Sequence, residues 1–273
     1  MNFKDRLCAM NCHYRFYELE DFFQSVHKLG MHYVELWSGP MHYYVDARRH
    51  DSPEQLKKLC DRYQITIIGI CPEQTNPKPN NIAVKQKHRQ EEVLNYYRQM
   101  IDIACELECR QVLVTSGWCY YSETVEEAWN RSVVMMKRIT DYAKKRNVIL
   151  ALEALQPEES RLVNTIQDIQ RYRNEVGSSC LKVCIDFGAM ARMGHTPREY
   201  FEAFGSDIVH IHFVDGNPTG HLAWGDGSRD LKTDLAVLEE YGYQGYLSLE
   251  TATQRYYEKP WSAEMKTLKS FEE

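Results

Sequence analysis

Val148-Ile-Leu-Ala-Leu-Glu153 is a short apolar run that ends abruptly in a carboxylate. Leu181-Lys-Val-Cys-Ile-Asp186 has the same form, as does Tyr246-Leu-Ser-Leu-Glu250, and Ile208-Val-His-Ile-His212 closes on a histidine instead. All four stretches are rich in strand formers, and each places an acid or an imidazole at its C-terminal end. A lone ionised carboxylate is costly to bury there, so it requires a partner, a metal or exposure. One repeated position points to one shared site, and a divalent cation would offset the negative charge gathered in it.

The alternation of strand and helix extends to both ends of the chain. Leu7–Met10 reads as a first strand, Tyr33–Trp37 as a second, Ile65–Cys71 as a third and Gln111–Thr115 as a fourth. Between them, apolar residues recur at helical spacing: Leu19, Phe22, Phe23, Val26 and Leu29, with Gly30 as the stop, then Val93, Leu94, Tyr97, Met100, Ile101, Ala104 and Leu107. Pro53 after Ser52 opens a helix to Tyr63, Thr124 with Glu127 forms a capping box, and Thr196-Pro-Arg-Glu199 forms another. Ile166, Ile169 and Tyr172 line a helix closed by Gly177, Leu231, Leu235 and Leu238 line a later one, and the tail from Pro260 supplies a last. Eight strand candidates separated by helices in 273 residues imply a parallel sheet closed into one α/β barrel, a single (β/α)8 domain over residues 1–273. Active sites of such barrels lie at the C-terminal strand ends. Those are the positions of Glu153, Asp186, His212 and Glu250.

Composition sets the outer bounds. The hydrophobic fraction of 43% supplies a core, and the net charge of −6 comes with acidic and basic residues interspersed. No basic block points to nucleic acid, and no apolar run is long enough for a membrane span. The start, Met1-Asn-Phe-Lys-Asp-Arg6, lacks the apolar core of a secretory signal. Nine cysteines at irregular spacing, with no C-x-x-C pair, read as reduced thiols in a cytoplasmic protein.

Three carboxylates and one imidazole make a mainly oxygen donor set, which suits Mn²⁺, Mg²⁺ or Co²⁺ ahead of Zn²⁺. Taken singly, each acid is equally at home as a salt-bridged strand-end carboxylate. His210 lies two residues before His212 and so faces the same way, which makes it a buried, hydrogen-bonded neighbour of the site. His13, His42 and His221 fall in loops at the mouth, where substrate contact and solvation are both open readings. So it is for Glu159, in the loop Gln156-Pro-Glu-Glu-Ser160. Trp37, Trp118 and Trp224 follow strands, placed either to stack on a sugar ring or to pack. The long polar stretch from Pro72 to Asn81 reads as a functional or mobile loop.

The order Leu-Glu153, Ile-Asp186-Phe, His210-Ile-His212-Phe-Val-Asp215, Gly225-Asp-Gly227 and Leu-Glu250 resembles the xylose isomerase-like barrels, and within them the sugar isomerase/epimerase branch containing tagatose and psicose 3-epimerases. Glu35-Leu-Trp37, Ile68-Gly-Ile-Cys-Pro-Glu73 and Ile185-Asp-Phe-Gly-Ala189 are similar to fructoselysine 3-epimerases. The resemblance implies one divalent metal, Mn²⁺ first, held by Glu153, Asp186, His212 and Glu250. It implies Glu153 and Glu250 as the acid/base pair that inverts C3 of a ketose through an enediolate, and Glu159 as a substrate contact. Trp118 is the aromatic expected to meet the sugar. Two positions depart from the free-ketose epimerases: Ala189 stands where they carry a histidine, and Pro218 where they carry an arginine. That is consistent with a modified ketose such as an Amadori compound.

An aldose–ketose isomerase would use the same fold and metal. Endonuclease IV-type nucleases need more histidine ligands and a basic groove, and a non-catalytic sugar-binding protein would be expected to lose one of the two glutamates. A site with three carboxylates and one divalent ion stays net negative, which disfavours phosphorylated sugars unless a basic loop compensates. The expected partner is a small sugar or sugar-amine, and homo-oligomers are common among barrels of this kind.

Overall fold

The computed structural model describes residues 2–74 and 77–272. Eight parallel strands close into a barrel in sequence order: β1 (Leu7–Met10), β2 (Tyr33–Trp37), β3 (Thr66–Cys71), β4 (Gln111–Val114), β5 (Ile149–Glu153), β6 (Leu181–Asp186), β7 (Ile208–His212) and β8 (Leu247–Leu249). Closure is made by β8 pairing with β1, Leu7 opposite Leu247. The connecting helices are α1 (Leu19–Lys28), α2 (Pro53–Tyr63), α3 (Lys87–Glu106), α4 (Val125–Arg146), α5 (Ile166–Val176), α6 (Phe187–Arg192), α7 (Pro197–Phe204) and α8 (Leu231–Glu240), with α9 (Trp261–Ser270) after the last strand. Among the described residues no helix is long and apolar enough to cross a membrane.

Strand alternation divides the core in two. One set of side chains, among them Leu150, Leu152, Val183 and Ile185, faces outward and packs under the helices. The other set fills the barrel with small or flexible groups, including Met10, Cys71, Leu113, Ala151 and Cys184. Ala151 and Glu153 share a face of β5, as Cys184 and Asp186 do on β6. The parity that buries the interior cysteines therefore aims the strand-end acids at the barrel axis.

The helix starts follow their caps. The Ser52 hydroxyl accepts from the Glu54 amide ahead of Pro53, and Thr124–Glu127 and Thr196–Glu199 close reciprocal capping boxes as expected. A third box, Thr165–Asp168, starts α5, and Gly177 ends it in the left-handed region at φ 68°. Two features differ from the expectation. The third long helix begins at Lys87, a turn and a half before its apolar stripe at Val93, because its first residues are polar and face solvent. The short α6 begins directly at Phe187 and is too brief to show a helical period; Asp186 caps it by accepting the Ala189 amide. In the Pro72–Asn81 loop, Thr75 and Asn76 lie outside the described residues, and so does Glu273 in the tail.

Candidate metal centre and active site

Glu153, Asp186, His212 and Glu250 converge at the C-terminal mouth of the barrel, with one ligand atom from each within 4.8 Å of the others. Nδ1 of His212 is their common neighbour. It lies 2.6 Å from Oε1 of Glu153, 3.0 Å from Oε2 of Glu250 and 4.0 Å from Oδ2 of Asp186. Glu250 sits one residue past the end of β8, so three of the eight strand ends carry the acids. Among the described residues, His212 Nδ1 and Asp186 Oδ2 are both buried without a hydrogen-bond partner. Buried polar atoms are otherwise satisfied almost everywhere in proteins. Two such atoms pointing at one spot, framed by three carboxylates, fit a divalent cation, and the oxygen-rich set suits a hard or borderline ion.

The other face of His212 is held by a residue that strand-end reading does not find. Glu35, on β2, is buried, and its Oε2 lies 3.2 Å from His212 Nε2 and 2.7 Å from His210 Nε2; Ser248 also donates to it. His210 is thus a buried, hydrogen-bonded companion of the site, as its parity with His212 requires. Burial works to raise the Glu35 carboxyl, but the two histidines outweigh it and hold it well below the usual range. The signal for Glu35 was an acid in the interior register of a strand, visible only once the barrel closes. A deeper trio of Cys184, His210 and His212 also lies within ligand distance. There, burial pushes the Cys184 thiol well above its ordinary value, and His210 is already committed to Glu35.

Crowded charge sets the two glutamates apart. Burial raises Glu153 to about 8 against the opposing pull of His212. Burial acts the same way on Glu250, but His212 and His221 outweigh it and hold that carboxyl below the usual range. Burial also raises Asp186, with His221 opposing. His212 is driven the other way: burial lowers it, while Glu250 and Glu153 lift it well above its ordinary value.

Residues 23–271 match the family described as the xylose isomerase-like TIM barrel. The chain belongs to that family. Over 244 residues it is 28% identical to the fructoselysine 3-epimerase of Shigella flexneri, covering 89% of this chain and 88% of the relative. Among solved structures it resembles apo 3-keto-D-glucoside 4-epimerase from E. coli, with a TM-score of 0.81 at 15% identity over 98% of both chains. It also resembles D-psicose 3-epimerase from Clostridium cellulolyticum H10, with a TM-score of 0.78 at 17% identity over 98% of this chain and 97% of the other. At those identities the structural likeness speaks for the fold.

In this xylose isomerase-like barrel Glu153, Asp186 and Glu250 line a cavity of about 520 Å³, within the roughly 300–1,000 Å³ range of small-molecule sites. Glu159 lines it, with its carboxylate accepting the Gln156 amide at 3.0 Å, and burial raises its pKa. Trp118 is not among the lining residues. Its indole N–H donates to the Lys78 carbonyl at 3.2 Å and its ring packs edge-on against Tyr120. Its amide donates to Asn81, where the chain passes so close to Gly117 (φ 77°) that a Cβ there would overlap the Asn81 side chain. Trp37 does line the cavity, while Trp224 is core, its ring tilted against Phe213 at 4.5 Å.

His221, one of three loop histidines left open by sequence, is brought into the site. The segment after β7 folds back through a pair of backbone hydrogen bonds between Asp215 and Leu222. The Asp215 carboxylate accepts amides of Gly216, Gly225, Gly227 and Arg229, and a Cβ at Gly227 would overlap it, which accounts for the Gly225-Asp-Gly227 motif. This puts His221 Nδ1 3.3 Å from Glu250 Oε2. Burial lowers His221, but Asp186 and Glu250 raise it to about 10. Ala189 lines the cavity, and the His221 ring sits beside the adjoining Gly188. Pro218, joined to Asn217 by a cis peptide, is not a lining residue. His13 is fully buried, 2.9 Å from Glu264, and His42 bonds Asn11 and the Tyr17 carbonyl, so both are structural.

Proposed function

We propose that this protein is a divalent-metal-dependent carbohydrate epimerase that inverts C3 of a ketose or ketose-amine of the fructoselysine or psicoselysine type. The observation that carries the reading is the placement of Glu153 and Glu250 at 2.6 and 3.0 Å from one imidazole nitrogen, with Asp186 completing the cluster on a cavity floor. The relatedness to fructoselysine 3-epimerase supports the substrate class.

Glu153, Asp186, His212 and Glu250 would hold the ion, with Mn²⁺ the first choice for their donor set. Such an ion would supply a Lewis acid to polarise the C2 carbonyl and favour enolisation. The protein's residues move the proton. One of Glu153 and Glu250, as carboxylate, takes the C3 proton, which is acidic because it is α to the carbonyl. The electron pair passes into the C2–O unit as an enediolate. The other glutamate, carrying a proton, delivers it to the opposite face of C3 and restores the ketone with inverted configuration. Each carboxyl exchanges its role in the reverse direction. Glu159 binds a sugar hydroxyl, and Trp118 keeps the loop bearing Lys78 in place. All nine cysteines are free, which suits a reducing cytosol.

The test is hydrogen exchange followed by NMR. Mn²⁺-loaded protein is incubated in D₂O with fructose, tagatose, psicose and fructoselysine. Deuterium at C3 supports the epimerase, exchange confined to C1 or C2 makes it an aldose–ketose isomerase, and no exchange with metal bound overturns both.

A further inference from the structure

We propose that Arg15 sets substrate specificity by gripping a carboxylate at the far end of the substrate, so that the substrate class is a ketose joined at C1 to an acid-bearing amine. This deepens, and rests on, the epimerase reading above.

The cations lining the cavity are not equivalent. Lys78 is paired with Glu73 at 2.7 Å, and His221 faces Glu250. Arg15 has no carboxylate partner among the described residues. Its Nε donates to the Cys12 carbonyl at 3.0 Å, which fixes the plane of the guanidinium and leaves the two terminal nitrogens uncommitted. The guanidinium carbon lies 5.3 Å from the Trp37 ring and 4.9 Å from the Tyr257 ring, and both aromatics line the cavity with it. An arginine held between aromatic rings is already ordered, so little further entropy is lost when it binds. Its open edge matches the two oxygens of a carboxylate in a bidentate pair.

Charge decides between carboxylate and phosphate. Glu153, Glu159, Asp186 and Glu250 line the same cavity, and a bound divalent ion offsets only two of those four charges. One unpaired guanidinium balances a singly charged group; a dianion would meet repulsion from the floor. The cavity also extends past the metal cluster to Met41 and Tyr257, giving an appended chain room to reach Arg15.

The test compares fructoselysine with the same ketose-amine lacking the carboxylate, fructose joined to 1,5-diaminopentane, and with fructose 6-phosphate. Binding is measured by calorimetry and turnover by C3 exchange, on the Mn²⁺-loaded full chain. The wild type is expected to favour the carboxylate compound by roughly 10- to 100-fold in both Kd and kcat/KM, the scale of a charged hydrogen-bonded pair. Arg15→Ala should collapse that ratio toward one, chiefly through KM, and Arg15→Lys should restore part of it. Equal treatment of the two ketose-amines by the wild type, failure of both to bind, a parallel loss on both in Arg15→Ala, or tightest binding of the phosphate would each overturn the proposal. A binding preference without C3 exchange would retain the substrate class and sink the epimerase chemistry; C3 exchange without preference would do the reverse.

Discussion

Glu35 Oε2 lies 3.2 Å from Nε2 of His212, on the side of the ring opposite the nitrogen that meets Glu153 and Glu250. A carboxylate there draws the ring proton to Nε2 and leaves the Nδ1 lone pair aimed at the metal cluster, the usual support for a histidine ligand. Glu35→Gln should therefore weaken Mn²⁺ binding by roughly 10- to 100-fold. Calorimetric titration of metal into the apoprotein checks it, and unchanged affinity would show that the ring needs no such partner.

Removal of the ion should cost stability. Glu153, Asp186 and Glu250 crowd one imidazole, and a bound cation relieves their repulsion in the folded state only. At a metal concentration 100 times Kd the expected gain is about 2.7 kcal/mol. Chelation should lower Tm and Mn²⁺ should restore it. A Tm indifferent to chelator would argue against a metal site here.

Glu153→Gln and Glu250→Gln should each lower kcat for epimerisation by about 10²- to 10⁴-fold, the range for loss of a general acid or base. Because one glutamate serves each face of C3, each variant should retain some solvent exchange from one epimer and lose it from the other. Metal content must be measured alongside, since both residues are also ligands. Loss of exchange from both epimers at full metal occupancy would rule out a division of labour by face.

Acid should destabilise the fold through carboxylates far from the site. Burial works to raise Asp207, but hydrogen bonds from Lys182 and Arg173 hold it below its ordinary 3.8; Asp226 is lowered in the same way by Lys266 and Tyr256. A depressed folded pKa means the unfolded chain binds the proton first, so stability rises with pH across this range. The contribution is fully present above about pH 5 and is lost as pH falls below 4 through the folded values. Tm measured from pH 7 to pH 3 should show that acid limb, and Asp207→Asn with Asp226→Asn should flatten it.

Trp224 is 1% exposed, packs against the Phe213 ring and donates its indole N–H to the Phe213 carbonyl at 3.1 Å. Trp224→Ala should cost about 3–5 kcal/mol in urea unfolding, as large buried aromatics do when truncated. Phe213 directly follows His212, so metal affinity should fall as well. A cost below 1 kcal/mol would show that the site collapses to fill the space.

The barrel and the convergence of Glu153, Asp186, His212 and Glu250 were legible in the chain because they obey a local rule. Strand side chains alternate, so Glu153, Asp186 and His212 share the interior face with Ala151, Cys184 and His210, and the strand ends converge once the sheet closes. The capping boxes at Thr124 and Thr196 were legible for the same reason, since their partners lie three residues away. The partners of Glu35, His221 and Arg15 obeyed no local rule. Glu35 meets His212 from 177 residues away, and only barrel closure brings β2 across the interior to β7. His221 reaches Glu250 through a loop whose path is set by the Asp215 carboxylate, and Arg15 gains its aromatic flanks from Trp37 at the end of β2 and Tyr257 in the segment after β8. Trp118 and Trp224 show the converse: both follow strands, yet one braces a loop and the other fills the core. Periodicity decides which way a side chain points from its strand; what it meets there is decided by chain closure and loop packing, which pair residues distant in sequence.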